Sequence, residues 1–503
     1  MSGTLKAIEQ LRQRDRDIQL LGHIAAQLSW DQETNLPPRG VTERADQLAT
    51  LEALIHQRGT DPRIGELLSS AEAAASGDER ESALLRGIRR SYERRTKLPT
   101  ALVTEIARQS SLNQAAWVTA RRESDFSLFS SELERTIELI VEKAKCLASD
   151  VSTSPYDALL DEFEPYMQTQ DVTAIFDHLR PSLVGLLQRI RGSDVTIDAS
   201  VLSRPYAVAV QRAFSDSLLQ SLGFESARGR LDISAHPFST TLGSDDVRLT
   251  TRFAEDFISS SVFGTIHECG HGLYELGVDA ALACTELGGG VSLGIHESQS
   301  RFWENIVGRS REFWEHFLPP LKAAFPASLA DQSVESFYAA INRVEPSCIR
   351  IEADEVTYNL HILLRFSLER RLVEGDLTVA DLPDAWAQES EALLGIRPAR
   401  AADGVLQDIH WSAFLIGYFP TYTLGNLYSA QLASAMHAEL GNIRELVRGA
   451  EFDPILGWMR DKIHRHGRVY PASELCQRAT GESLNANYFV KYLEQKYHDL
   501  YRL

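Results

Sequence analysis

Along most of this chain, leucine, isoleucine and other apolar residues recur at intervals of three and four, the spacing that lines one face of an α-helix. The pattern predicts helices over residues 5–28, 41–57, 82–95, 128–148, 172–190 and 206–222, and again over 300–306, 310–317, 334–343, 348–374, 379–394, 424–439 and 488–500. Breaks are expected at Pro37-Pro38, Asp61-Pro62, Leu98-Pro99, Ser154-Pro155 and Arg180-Pro181. Pro319-Pro320 is expected to end the 310–317 helix, and Pro346 to precede the start of the next long one.

The period changes once. Residues 231–234, 238–242 and 247–251 are short, alternating and rich in threonine and β-branched residues, with a turn at 243–246. They predict a small antiparallel sheet whose edge either pairs with an extended peptide backbone or simply caps the helical body. No repeat of fixed period and no Gly/Ser/Pro-rich linker interrupts the chain. The expected fold is therefore mainly α: one domain over 1–503, with a helical N-terminal lobe (about 1–225), a sheet and metal-site region (about 226–310) and a helical C-terminal lobe (about 311–503). A deep substrate groove would lie between the lobes.

Composition narrows the function. A hydrophobic content of 44% is ample for a buried core, and the formal charge of −19 argues against nucleic acid and against anionic membrane surfaces. No apolar run of about 18 residues occurs, so no membrane span is expected. The N-terminal stretch carries Arg12, Arg14 and Arg16 and does not read as a signal peptide. Five scattered cysteines fit reduced thiols in a cytoplasmic protein better than a disulfide framework.

Within a helix-compatible run, His267-Glu268-Cys269-Gly270-His271 places two imidazoles one turn apart on one face, where both can reach one metal ion. With 14 His in 503 residues, such a pattern arises by accident roughly three times in a hundred, so its surroundings matter. Cys269 points to another side of the helix and is expected in the core. Catalytic zinc sites use three protein ligands and keep a fourth position open. After the flexible Gly288-Gly289-Gly290 turn come His296 and Glu297, either of which could be the third ligand, with Glu297 preferred. A zinc ion there would acidify a bound water and polarise a carbonyl, with Glu268 as proton acceptor and donor. The same ligands accept Co2+ or Mn2+. Gly272 through Gly277 contain no third histidine, which excludes the metzincin arrangement. Farther on, His410 and Tyr422 are candidate hydrogen-bond donors to a developing oxyanion.

Six segments occur in order: His236-Pro237-Phe238, Asp246 through Thr250, His267 through His271, His296-Glu297-Ser298-Gln299, Ile351 through Asp354, and Gly404 through Trp411. Together with Ser29 through Thr34 and Tyr156 through Asp161, they resemble the carboxypeptidase Taq family of metallocarboxypeptidases across nearly the whole chain. The resemblance implies His267, His271 and Glu297 as metal ligands, Glu268 as general acid/base, and Arg350 as the residue that binds the substrate's terminal carboxylate. Arg248 is a second candidate for that role, through the Asp-x-Arg-x-Thr segment at the closed end of the groove. An almost wholly helical fold with a small sheet, zinc or cobalt as metal and a homodimer are also implied. Two departures stand out: Asn35-Leu36-Pro37 replaces a more usual Met-Pro, and Tyr166 stands where Gly is common. The expected function is a zinc carboxypeptidase of broad specificity on short peptides. A metallo-oligopeptidase cutting internally and a non-catalytic helical scaffold are the alternatives.

Overall fold

The predicted periodicity is realised in the computed structural model, which describes residues 2–73, 77–148 and 154–503. Among the described residues, nine α-helices precede the sheet: α1 (Ser2–Thr34), α2 (Val41–Gly59), α3 (Pro62–Glu72), α4 (Glu79–Lys97), α5 (Thr100–Glu123), α6 (Ser127–Leu147), α7 (Pro155–Phe163), α8 (Thr169–Arg191) and α9 (Val208–Ser221). Strands β1 (Gly229–Ile233), β2 (Ser239–Gly243) and β3 (Asp246–Thr251) follow. Then come α10 (Ile258–Gly277), α11 (Leu293–Arg301), α12 (Arg311–Ala324), α13 (Pro326–Leu329), α14 (Val334–Ile341) and α15 (Thr357–Glu374). The chain closes with α16 (Leu382–Leu394), α17 (Pro420–Leu440), α18 (Ile443–Arg448), α19 (Asp453–Lys462), α20 (Ala472–Thr480) and α21 (Asn487–Tyr501).

The sheet is mixed, not antiparallel as the pattern suggested. Its order is β1-β3-β2, with β3 antiparallel to β2 and parallel to β1. The burial explains the order: β3 hides Val247, Leu249, Thr250 and Thr251, whereas β1 and β2 are largely half-exposed, so the most apolar strand takes the centre. The link between β1 and β2 is pinned to β3, because Thr250 Oγ1 accepts from the Ser234 hydroxyl (2.6 Å) and from Phe238 N (2.9 Å).

The helices also depart from the pattern in several places. Pro319 and Pro320 lie inside α12, and Pro181 inside α8. A proline inside a helix costs about 3 kcal/mol. In α12 the row Phe313, Trp314, Phe317, Leu318 and Leu321 is buried, at about 1.5–3 kcal/mol a side chain, and outweighs it. The predicted 348–374 helix begins only at Thr357, where Asp354 accepts from the Val356 and Thr357 amides; Arg350 sits upstream in a 3-10 turn. Finally, α5 escapes the periodicity because its buried face, Leu102-Gln109-Asn113-Trp117-Ala120, carries two polar residues. Asn113 donates to Thr136 and Trp117 to the Leu406 carbonyl, so that face is satisfied without being apolar.

Most buried side chains belong to one large core that includes α10, α11, α15 and α17, while α1, α3 and α4 form a satellite cluster with Leu282, Leu287 and Val469. Two glycines let the central helices touch. A Cβ on Gly270 of α10 would lie 2.6 Å from the Gln299 carbonyl of α11, and one on Gly425 of α17 would lie 2.6 Å from the Glu297 side chain. Only hydrogen fits at either place, so α11 is held between α10 and α17 at backbone distance.

Candidate metal centre

Helix α10 presents His267 and His271 on one face, and the close approach at Gly270 brings Glu297 of α11 beside them. Ligand atoms of the three residues lie within 4.8 Å of one another. Glu297 Oε2 is 3.5 Å from His271 Nε2 and 3.7 Å from His267 Nε2. Ligands about 2.0–2.1 Å from a tetrahedral metal stand about 3.4 Å apart, a spacing that the two Glu297–histidine distances approach, so the three residues form a candidate site for one divalent ion. His296, the other candidate third ligand, does not join this cluster.

The surroundings fix which atoms face the ion. Arg301 Nε donates to Glu297 Oε1 (2.7 Å), leaving Oε2 toward the histidines. Glu304 Oε2 lies 2.9 Å from His267 Nδ1 and holds that ring with Nε2 turned to the site. Glu304 is fixed in turn by Arg301 and Arg309 (3.2 and 3.1 Å). It reaches His267 because the chain after α11 widens into a π-helix over Phe302–Gly308, a departure that single-sequence periodicity does not announce. Behind His271 stands His296: the two Nδ1 atoms are 2.6 Å apart, and His296 Nε2 is 2.9 Å from Glu275 Oε1. Burial works against the charge on Glu275, but its hydrogen bonds, led by that from His296, bring its pKa down to about 2. A cavity of about 400 Å3 opens beside His296 and is also lined by Phe163, Tyr166 and Arg468.

Glu268 is 6% exposed, and its buried Oε2 has no hydrogen-bond partner among the described residues. A carboxylate oxygen left bare next to a cluster of two imidazoles and a carboxylate is costly unless a further group meets it. Burial pushes the Glu268 pKa up to about 7. Cys269 is fully buried in the core, as expected.

A second cluster gathers Arg350, His410 and Tyr422. Arg350 donates through Nε and Nη2 to Asp408 Oδ1 (3.0 and 2.8 Å) and through Nη1 to the Tyr358 hydroxyl (3.1 Å). Its guanidinium lies 5.2 Å from the centre of the Tyr422 ring. His410 Nε2 is 3.4 Å from the Tyr422 hydroxyl, and its Nδ1 is buried without a partner among the described residues. Burial lowers the His410 pKa to about 4, against the pull of Asp408, so the ring is neutral near pH 7. Tyr422 precedes Gly425 by less than one turn of α17, which places this cluster next to the helix holding Glu297. Arg248 stands elsewhere: its contacts run to Asp246 (2.9 Å through both Nε and Nη2) and to the face of Trp30 in α1 (4.4 Å).

The profile of the carboxypeptidase Taq (M32) metallopeptidases matches residues 10–497. The chain belongs to that family. Thermostable carboxypeptidase 1 of Thermus thermophilus is 46% identical over 98% of this chain and 99% of its own, and carboxypeptidase 1 of Bacillus subtilis is 39% identical over 95% of each. Among solved structures, the M32 carboxypeptidase of Deinococcus radiodurans superposes with a TM-score of 0.96 at 39% identity, covering 99% of this chain and all of the other. The Pyrococcus furiosus carboxypeptidase does so at 0.95 and 42%, covering 98% and 99%. As an M32 metallocarboxypeptidase, the protein is a peptide hydrolase.

Sequence reasoning missed Glu304, Glu275, Asp408 and Tyr358, and knew His296 only as a competing ligand. Glu304, Glu275 and Asp408 act through contacts 37, 21 and 58 residues apart in sequence, and Tyr358 through one eight residues away. Tyr166, where the resemblance led one to expect Gly, has φ +72°, a left-handed conformation that glycine adopts without strain.

Proposed function

We propose that this M32 enzyme releases single residues from the free C-terminus of short peptides with broad specificity, using a zinc ion held by His267, His271 and Glu297. The observation that carries the reading is the convergence of two Nε2 atoms and one carboxylate oxygen beside the unpartnered oxygen of Glu268. Two imidazoles and a carboxylate suit zinc, and Co2+ or Mn2+ is accepted by the same set. When bound, the metal supplies Lewis-acid polarisation of a carbonyl and lowers the pKa of a coordinated water.

The chain's own residues do the rest. Glu268 takes a proton from the attacking water and returns it to the departing amine. Neutral His410 and protonated Tyr422 donate hydrogen bonds to the oxygen on which negative charge develops. Arg350, oriented by Asp408, receives the terminal carboxylate, which selects a free C-terminus over an internal bond. Arg248, paired with Asp246 and stacked on Trp30, is the second candidate for that role. The cavity beside His296 provides room for part of the substrate groove between the lobes. A homodimeric, cytoplasmic enzyme completes the reading, supported by the family resemblance and by the thiol pattern. Incubation of a short peptide and its C-terminally amidated form with the metal-loaded enzyme tests it: only the free acid is expected to be shortened, and equal cleavage of both would favour internal cutting.

A further inference from the structure

Glu369 of α15 is fully buried, and its carboxylate gathers three donors from separate parts of the chain. Oε2 accepts from the Tyr156 hydroxyl (2.7 Å) and from Gly417 N (3.1 Å), while Oε1 accepts from Trp411 Nε1 (2.9 Å). Trp411 directly follows His410, and Gly417 directly precedes Tyr418, whose ring packs 5.4 Å from the His410 ring. One carboxylate thus holds both ends of the loop that begins at His410. Gly417 has φ +94°, and a Cβ there would lie 2.8 Å from the backbone of Leu159 in α7, so the loop cannot slide along that helix. The Tyr156 through Asp161 motif, which no catalytic step uses, is thereby tied to the site: it supplies one donor to Glu369 and the surface against which Gly417 rests.

We propose that Glu369 is a positioning residue that sets the orientation of His410 through the loop from Trp411 to Gly417. Two of its donors, the indole N–H and the Gly417 amide, can only donate, so both need a carboxylate oxygen. A glutamine offers one acceptor and one donor end. Whichever way it sits, its NH2 group meets the Trp411 or the Gly417 N–H, and one end of the loop is released. Displacement of a catalytic donor by about 1 Å costs up to about 100-fold in rate.

This inference rests on the proposed role of His410 in catalysis. The test is a double-mutant cycle in the full-length, metal-loaded enzyme with Glu369→Gln, His410→Gln and the pair, reading kcat and KM on a short peptide with a free C-terminus, together with metal content. The expected result for Glu369→Gln is full metal occupancy, KM within about twofold, and kcat lowered about 10- to 100-fold, with no further loss when it is added to His410→Gln. Additive losses in the pair, or an unchanged kcat beside a lower melting temperature, would overturn the proposal by making Glu369 a core residue only. Should Glu369→Gln fail to fold, Trp411→Phe removes one donor and is read in the same cycle by the same criteria. Undiminished kcat in His410→Gln overturns the role of His410 itself, an outcome distinct from an impaired His410→Gln beside an unimpaired Glu369→Gln.

Discussion

His271 meets a second histidine where His267 meets a carboxylate: its Nδ1 lies 2.6 Å from Nδ1 of His296, which passes the contact on to Glu275. For Nε2 of His271 to face a metal with its lone pair, Nδ1 must carry the proton and donate it to His296, whose Nε2–H then donates to Glu275. The orienting charge for one ligand is therefore a residue removed, while that for the other, Glu304, is direct.

Both arrangements are expected to govern metal retention. His296→Ala and Glu304→Gln should each weaken metal affinity about 10- to 100-fold, measured by competition with a chromophoric chelator. Unaltered affinity in both would show that the rings are held by packing alone.

Glu268→Gln keeps the shape of the side chain and removes its basicity. Metal content by elemental analysis should stay stoichiometric, while kcat falls by at least about 100-fold. Retained turnover would remove Glu268 from the mechanism.

Arg350→Ala takes away the proposed terminal-carboxylate contact and leaves Asp408 with Arg365 as its cation; Arg365 Nε donates to Asp408 Oδ2 at 2.7 Å. A charged hydrogen bond is worth about 1.5–3 kcal/mol, so kcat/KM on free-acid peptides should drop about 10- to 100-fold. Unchanged kinetics would move that role to Arg248.

Glu164, fully buried, accepts from Gly294 N in the first turn of α11 (2.9 Å) and so anchors the helix that carries Glu297. Burial raises its pKa from 4.5 to about 7, so the folded state retains a proton that the unfolded state releases. The stability it contributes is full below about pH 4.5 and is lost as the pH rises through about 7, by about 3 kcal/mol in all. Melting temperatures of wild type and Glu164→Gln, compared at about pH 5 and about pH 8, should show the wild type losing more on the alkaline side. Parallel pH dependence in the two proteins would contradict this.

How much of this was legible in the sequence follows from the range of the interactions. The His267–His271 spacing is a property of one helix, and the apolar stripes of α2, α6 and α8 are equally local, so both could be read directly. The sheet order was not, because pairing depends on which strand the surrounding helices bury, and α5 was missed because Gln109 and Asn113 occupy core positions through hydrogen bonds. Glu304 was hidden by the π-helix, which shifts the side-chain register that any 3.6-residue reading assumes. Asp408, Glu275 and Glu369 needed three-dimensional contacts across 58, 21 and 42 residues of sequence.

On the proposed reading, a metal held by His267, His271 and Glu297 drives removal of residues one at a time from a free C-terminus. Mass spectrometry of a peptide mixture digested by the enzyme, before and after chelation and after zinc is restored, tests it most directly. Ladders shortened only from the C-terminus, absent after chelation and recovered with zinc, are expected. Internal fragments, or ladders that persist in the chelated Glu297→Ala enzyme, would contradict it.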